Sequence, residues 1–358
     1  MNASIDPTII KDIEEIVDSI SDFSEQFSGK NILLAGGMGF LGRYFQYIFS
    51  VLNDSVLSKP ATVVVIDNLI TSGEAGKSMP QLSNITHVSA DISKNIPIDA
   101  GLSFDYVVNL AGIASPFYYR AYPVETLDVA INGTRNLLDL ARSCGARFVF
   151  FSSSEIYGDP DPRHVPTPES YRGNVSCKGP RSCYDESKRV GETLCYIYHT
   201  SFGVHTNAIR PFNVYGPGMQ QADYRVLPNF ASCIARNKPL KLYGTGNQTR
   251  TFCYITDAIN GFLRVMALGV AGESYNIGNP SPEITIHQLA STVAKLSSRP
   301  ILSDVIEYPD SYPADEPMRR CPDITKATLQ LSYSPKVDIE EGLNRFLSWT
   351  SKNYTSAE

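Results

Sequence analysis

The chain has 358 residues, of which 31 are Lys or Arg and 37 are Asp or Glu, a formal net charge of −6 with histidine neutral. A mildly acidic chain lacks the broad positive field of a protein that coats nucleic acid, so no nucleic-acid partner is expected. With 42% hydrophobic and 19% charged residues it is no disordered chain, and its length suits one large domain or two smaller ones.

The longest apolar runs, such as Val63-Val64-Val65-Ile66, are strand-sized and far short of the roughly 20 residues of a membrane span. The N-terminus carries Asp6, Asp12, Glu14 and Glu15 in place of the basic patch and apolar core of a secretory signal, so a cytoplasmic protein is expected. Seven cysteines without a C-x-x-C point to reduced thiols, and five dispersed histidines offer no metal-ligand spacing.

Residues 7–27 carry Ile9, Ile10, Ile13, Ile16, Val17, Ile20 and Phe23 at helical spacing, with Asp6 as N-cap and Pro7 as the first helical residue. An amphipathic helix is predicted within an N-terminal extension, residues 1–28. Its acidic polar face would be repelled by anionic lipid, so it is expected to pack on its own domain or on a second copy. From residue 30 strand candidates at 32–35, 63–66, 85–89, 106–110, 148–152 and 206–209 alternate with helical stretches such as 127–144 and 185–201. Continuous apolar strands separated by helices signal a parallel sheet covered on both faces. The expected fold is α/β: a Rossmann-type doubly wound parallel sheet over residues 29–210. Prolines from Pro211 to Pro335 divide the remaining chain into the short elements of a smaller C-terminal, substrate-binding lobe, residues 211–358.

Directly after the first strand stands Gly36-Gly37-Met38-Gly39-Phe40-Leu41-Gly42, leading into a helical run. Gly36, Gly39 and Gly42 let the backbone turn sharply, approach a pyrophosphate and pack helix on strand, while the N-terminus of the helical run Arg43–Leu52 supplies N–H donors to the anion, with Phe40 and Leu41 also expected at the cofactor. Asp67, followed by Asn68, ends the second strand, where a carboxylate can accept both ribose hydroxyls of an adenosine. No Arg or Lys follows closely to receive a 2′-phosphate, so NAD is expected rather than NADP. Asp91 and Ile92 would lie at the adenine edge, and Leu110 and Ala111 near the nicotinamide ribose.

Tyr184 and Lys188 stand four residues apart on one face of a predicted helix. An ammonium beside a phenol favours the phenolate, so this tyrosine is a candidate base toward a sugar hydroxyl. A strand ending in Ser152-Ser153-Ser154-Glu155 would bring hydroxyls and a carboxylate to the same crevice.

The glycine turn, the strand-end serines and the Tyr/Lys pair together resemble the extended short-chain dehydrogenase/reductase superfamily, from residue 30 to about 350. Several segments are most similar to its UDP-glucuronate decarboxylase, or UDP-xylose synthase, branch. They are Ala114-Ser115-Pro116, Ser153-Ser154-Glu155-Ile156-Tyr157-Gly158-Asp159-Pro160, Gly179-Pro180-Arg181-Ser182-Cys183-Tyr184-Asp185-Glu186, Gln248-Thr249-Arg250, and Pro313-Ala314-Asp315 leading to Arg320-Cys321-Pro322-Asp323-Ile324. The resemblance implies retained NAD and a sugar oxidised at C4 through Tyr184 and Lys188, decarboxylated as a β-keto acid, and reduced again. It also implies roles for Ser153 at the 4-oxygen, Ser154 and Glu155 around C5 and the carboxylate, and Arg320 as charge clamp or acid. Dehydratases of the superfamily carry an Asp where this chain has Ser154, so dehydration and epimerisation stand as alternatives behind decarboxylation, and a non-catalytic NAD-binding relative comes last. Pro116, Tyr119, Asn174, Arg181, Asn213, Arg225, Asn229, Tyr243, Arg250 and Arg320 are implied to hold the sugar nucleotide, a UDP-uronate. Relatives dimerise through the helices at 127–144 and 185–201, so a homodimer is expected.

The chain departs from these relatives at several positions. It has Arg43-Tyr44 for Ser-His, Asn109 for His, Ala130 for Asn, Arg172 for Trp, Ser176 for Asn, and Asp223-Tyr224-Arg225 for Asp-Gly-Arg. Residues 109 and 130 are expected near the nicotinamide and sugar, and 172 and 176 beside the sugar-binding loop.

Overall fold

The computed structural model describes residues 5–94, 96–97, 102–297, 301–307 and 317–355, so the Pro313-Ala314-Asp315 segment lies outside the described residues. Its centre is a sheet of seven strands: β1 (Asn31–Ala35), β2 (Thr62–Asp67), β3 (Ile85–Ser89), β4 (Tyr106–Asn109), β5 (Arg147–Phe151), β6 (Thr206–Pro211) and β7 (Ser274–Ile277). The strand order is β7-β6-β5-β4-β1-β2-β3, and every pairing is parallel. Leu33, Leu34, Val63, Val65, Val107 and Val108 are fully shielded or nearly so because helices cover both faces, which is why these strands read as unbroken apolar runs. The order reverses between β1 and β4, and there the C-terminal strand ends separate to open a crevice.

The sheet reaches further along the chain than residue 210. β7 lies beyond that boundary and pairs with β6 in register Ser274↔Ala208 to Ile277↔Pro211. The short strand Thr249–Arg250 pairs with Arg319–Arg320 and with Ile284–Thr285. That pairing sets Arg250 and Arg320 side by side.

The N-terminal helix α1 (Pro7–Ser19) starts where expected, with the Asp6 carboxylate accepting from Thr8 N at 2.8 Å. It ends sooner than the hydrophobic pattern suggests: Ile20 and Phe23 are buried in a turn, followed by a 3₁₀ segment, Ser24–Phe27. The helix packs on its own chain. Its buried Asp12 accepts from Tyr254 Oη at 3.0 Å and Tyr44 Oη at 3.2 Å, and Glu15 pairs with Arg345 at 2.7 Å. The helix predicted over 127–144 is interrupted by a π-turn, Val129–Gly133, ahead of Thr134–Cys144. A Cβ at Gly133 would lie 2.9 Å from the Ile92 side chain, so the widened turn and the missing side chain together let this helix approach the β3 end.

Candidate active site

Two cavities meet at the C-terminal edge of the sheet, sharing Ala114 and Arg225 in their walls. The larger, about 400 Å³, runs over β1 and β2 and is lined by Gly36, Gly39, Phe40, Leu41, Gly42, Asp67, Asn68, Asp91, Ile92, Leu110 and Ala111. All of these are residues expected to hold the dinucleotide.

The glycine turn fits that group closely. Gly36 has φ +75°, and a Cβ there would lie 2.5 Å from the Ala111 backbone. A Cβ at Gly42 would lie 2.4 Å from Gly37 Cα, so helix α2 (Phe40–Ser55) can sit against the turn only with glycine at both places. The first-turn amides of Phe40, Leu41 and Gly42 have no carbonyl within the helix to bond and face this cavity, a cradle for a pyrophosphate. Asp67 does more than await a ribose. Its carboxylate accepts from Met38 N at 2.9 Å and Leu69 N at 2.8 Å, so it also fixes the turn. Asp91 accepts from Ser93 N and Oγ.

The smaller cavity is lined by Pro116, Tyr119, Glu155, Arg181, Tyr184, Asn213, Arg225, Asn229, Tyr243, Arg250 and Arg320, together with Met219, Tyr224, Lys241 and Gln248. Ser153 caps the 3₁₀ turn Ser154–Tyr157 by accepting from Glu155 N at 3.2 Å, which turns the Glu155 side chain into the crevice as β5 ends. Ser154 is buried beside it and does not line the cavity among the described residues.

Glu155 is the electrostatic centre. Its Oε2 accepts from Arg181 and, at 2.6 Å, from Arg320. Burial pushes the carboxyl up, but Arg181, Arg320 and Arg250 outweigh it and bring it down to about 2. Asp185, on the first turn of the helix Ser182–Phe202, sits 3.6 Å from the other side of Arg181. Burial, reinforced by the Glu155 charge, raises its carboxyl to about 7, and its Oδ1 is buried without a hydrogen-bond partner. One arginine thus serves two carboxyls whose surroundings push them in opposite directions, Glu155 toward the ionised form and Asp185 toward the neutral one. Sequence reasoning does not single out Asp185, although its i,i+4 spacing from Arg181 is a usable signal.

Tyr184 lies on the same helix, stacked on Tyr119 with ring centroids 5.3 Å apart, and near enough to Ser153 for that hydroxyl to bear on its phenol. Lys188 Nζ is 5.6 Å from the Tyr184 ring centroid and donates to Phe151 O at 2.9 Å. The ammonium is not the leading influence on this phenol before substrate and cofactor are bound. Burial raises Tyr184 to about 12, with Glu155 and Asp185 adding to it against the Ser153 hydroxyl, while burial lowers Lys188 to about 8. Gly112 matters here, since a Cβ at that position would lie 2.8 Å from Lys188 Nζ.

Not every expected residue stands in a cavity wall. Asn174 is exposed, donates to Asp159 O at 3.2 Å, and stays out of the cavity wall. Asn109 is fully buried directly beneath the dinucleotide cavity, accepting from Ala111 N of its wall and donating to the Thr134 hydroxyl, and Ala130 follows the lining residue Val129 in the π-turn. Arg172 and Ser176 are exposed on a loop away from both cavities. Among the described residues no group of His, Cys, Asp and Glu could hold a metal, and no helix is long and apolar enough to cross a membrane.

Comparison with known proteins agrees with this geometry. The chain is 39% identical over 321 residues to UDP-glucuronic acid decarboxylase 1 of Arabidopsis thaliana, covering 88% of this chain and 69% of that one. Its structure is similar to an epimerase of Methanothermobacter thermautotrophicus, with TM-score 0.78 and 28% identity over 95% of this chain and 96% of the other. It is also similar to the Bacillus cereus UDP-glucuronic acid 4-epimerase solved with UDP-glucuronic acid and NAD, with TM-score 0.74 and 26% identity over 90% of this chain and 100% of the other. Residues 32–278 match the NAD dependent epimerase/dehydratase family, and the chain belongs to that family.

Proposed function

We propose that the chain decarboxylates a nucleotide-linked uronic acid, converting UDP-glucuronate to a UDP-pentose of the xylose type through a 4-keto intermediate. The observation that carries this reading is the ionised Glu155 between Arg181 and Arg320, one turn from Ser153 and beside Tyr184. The decarboxylase names of the relatives support it. NAD, when bound along β1 and α2, supplies the acceptor and later the donor of the C4 hydride.

The chain's own groups do the rest. Tyr184 takes the proton of the sugar 4-hydroxyl, and Ser153 steadies the 4-oxygen. The ketone so formed is β to the C6 carboxylate, so CO₂ can leave with its bonding electrons settling on the 4-oxygen as an enolate. Arg181, Arg250 and Arg320 hold the carboxylate and the diphosphate by charge, while Glu155 fixes the arginines and screens their mutual repulsion. Arg320 is a charge clamp in this scheme, since a guanidinium does not release its proton at neutral pH. Ser154 offers only a hydroxyl where loss of a C6 hydroxyl would need an acid. Protonation at C5 and return of the hydride complete the cycle, with one proton consumed overall.

Purified protein incubated with UDP-glucuronate and followed by mass spectrometry tests this. Loss of CO₂ is expected. An unchanged mass with inverted C4 would move the reading to epimerisation, which the likeness to the UDP-glucuronic acid 4-epimerase favours as second choice; loss of water would mean dehydration.

In this reading residues 29–210 chiefly carry NAD and residues 211–358 chiefly the sugar nucleotide. Tyr196, Ile197 and Phe202 on the Tyr184 helix and Val124 and Ile131 near the π-turn are exposed. They form the face through which two copies pair as a homodimer. Sedimentation velocity checks this, with Tyr196→Glu expected to give monomer. All seven cysteines are free thiols, which suits a cytoplasmic enzyme.

A further inference from the structure

The junction of the two cavities is roofed by aromatic rings. Phe117 stands three residues after Ala114, and Tyr224 directly precedes Arg225; Ala114 and Arg225 are the two residues common to both cavity walls. The Phe117 and Tyr224 rings stack across this point with centroids 5.4 Å apart and planes 1° from parallel. Tyr118, in the wall of the dinucleotide cavity, meets Phe117 edge-on at 5.1 Å, so three rings run from one cavity to the other. Phe117 is 48% and Tyr224 49% exposed, so neither ring is held by a core around it. Phe117 belongs to the helix Pro116–Ala121 of the sheet half, Tyr224 to the loop leading into the helix Val226–Ala235 of the second lobe. The stack therefore joins the two lobes over the place where sugar and nicotinamide must meet.

We infer that Phe117 and Tyr224 form an aromatic clasp that closes the junction and governs release of the sugar nucleotide, so that the 4-keto intermediate stays in place until the hydride returns. The inference rests on the proposed reading of the smaller cavity as a sugar-nucleotide site. Both residues act as positioning residues. Opening the clasp separates a single pair of rings, whose strength limits the effect to an acceleration of release of about three- to ten-fold.

The test is the dissociation rate of UDP from the NAD-loaded protein, measured by stopped-flow displacement with a fluorescent UDP analogue. Phe117→Ala and Tyr224→Gly are each expected to speed release about three- to ten-fold, and the double variant no more than Phe117→Ala alone, because that single already removes the stack that Tyr224→Gly removes. Tyr224→Phe, which keeps the ring, should restore the slow rate. With UDP-glucuronate, the two single variants should release more free 4-keto UDP-pentose per turnover and leave more protein carrying reduced nicotinamide. Unchanged release rates, additive effects in the double variant, or failure of Tyr224→Phe to rescue would overturn the clasp. Wild-type protein that binds no UDP would instead remove the sugar-nucleotide reading, and the clasp with it.

Discussion

Asp185→Asn should stabilise the protein, and only above a certain pH. The carboxyl is raised from 3.8 to about 7, chiefly by burial and then by the Glu155 charge. The folded state therefore holds this proton more tightly than the unfolded chain, and stability falls as pH rises from about 4 to about 7. The resulting penalty is on the order of a few kcal/mol at pH 8, where the buried group is ionised beside Glu155. Asparagine has nearly the same shape and cannot ionise. The variant should thus match the wild type near pH 4 and gain progressively to a plateau above pH 7. Asp12, raised to about 7, and Asp257, raised to about 6, tilt the wild-type curve in the same direction. The measurement must therefore be the difference between variant and wild type, from urea unfolding of the NAD-loaded protein at several pH values. Glu155 works the other way: its pKa of about 2 lies below the ordinary 4.5, so its stabilisation is present above that value and is lost as pH falls through about 2. A difference that is flat with pH, or an Asn variant weaker than wild type at pH 8, would refute the charge assignment around Arg181.

Other expectations concern the chemistry. Tyr184→Phe should bind UDP normally yet give no reduced nicotinamide absorbance when UDP-glucuronate is added; any appreciable reduction would dismiss Tyr184 as the base. Glu155→Gln takes from buried Arg320 its carboxylate and leaves Arg181 only Asp185, so thermal unfolding should show a loss on the order of 3 kcal/mol, and CO₂ release should fall more than UDP affinity. Gly112→Ala would push Lys188 away from Phe151 O, since the new Cβ would lie 2.8 Å from Nζ. Lower kcat with little change in KM is expected, and an unaffected kcat would remove Lys188 from its supporting role.

Much of the sheet half is legible in the sequence because its chemistry is local. A strand buried on both faces must be apolar throughout, and the glycine turn, Asp67, Tyr184 and Lys188 each follow from a neighbouring element. β7 escapes notice because it is four residues long and includes Ser274 and Asn276. Asn276 is fully buried, satisfied by Thr167 O, Asp323 O and the Tyr157 hydroxyl, three partners that no local pattern announces. The overlong N-terminal helix has a related cause: Ile20 and Phe23 keep the helical period because they are buried, although the backbone there has already turned. The direction of the shift at Tyr184 is hidden for the same reason, since a sequence shows Lys188 four residues on but neither the depth of burial nor the convergence of Glu155 and Asp185.

The departures from the resembling decarboxylases fall in different places, and their placement bears on the substrate. Arg43 and Tyr44 replace smaller residues at the start of α2 and face away from both cavities. Arg43 donates to Gly218 O at 2.6 Å, and the Tyr44 hydroxyl lies 3.1 Å from Pro217 O and 3.2 Å from Asp12. They tie the loop after residue 215 to the N-terminal helix, a fixture that serves the extension and not the sugar. Asn109 supports the crevice floor, Ala130 fills the π-turn, and Arg172 and Ser176 lie on an exposed loop. Of these changes only Tyr224 lines the smaller cavity, beside an otherwise intact set of Glu155, Arg181, Tyr184, Arg250 and Arg320. If the smaller cavity works on a uronate as proposed, Tyr224 is the departure placed to affect how substrate enters and leaves, since the other departures stand outside that cavity's wall. Kinetic differences between this chain and its relatives should therefore emerge in release and retention, and should shrink when Tyr224 is replaced by glycine.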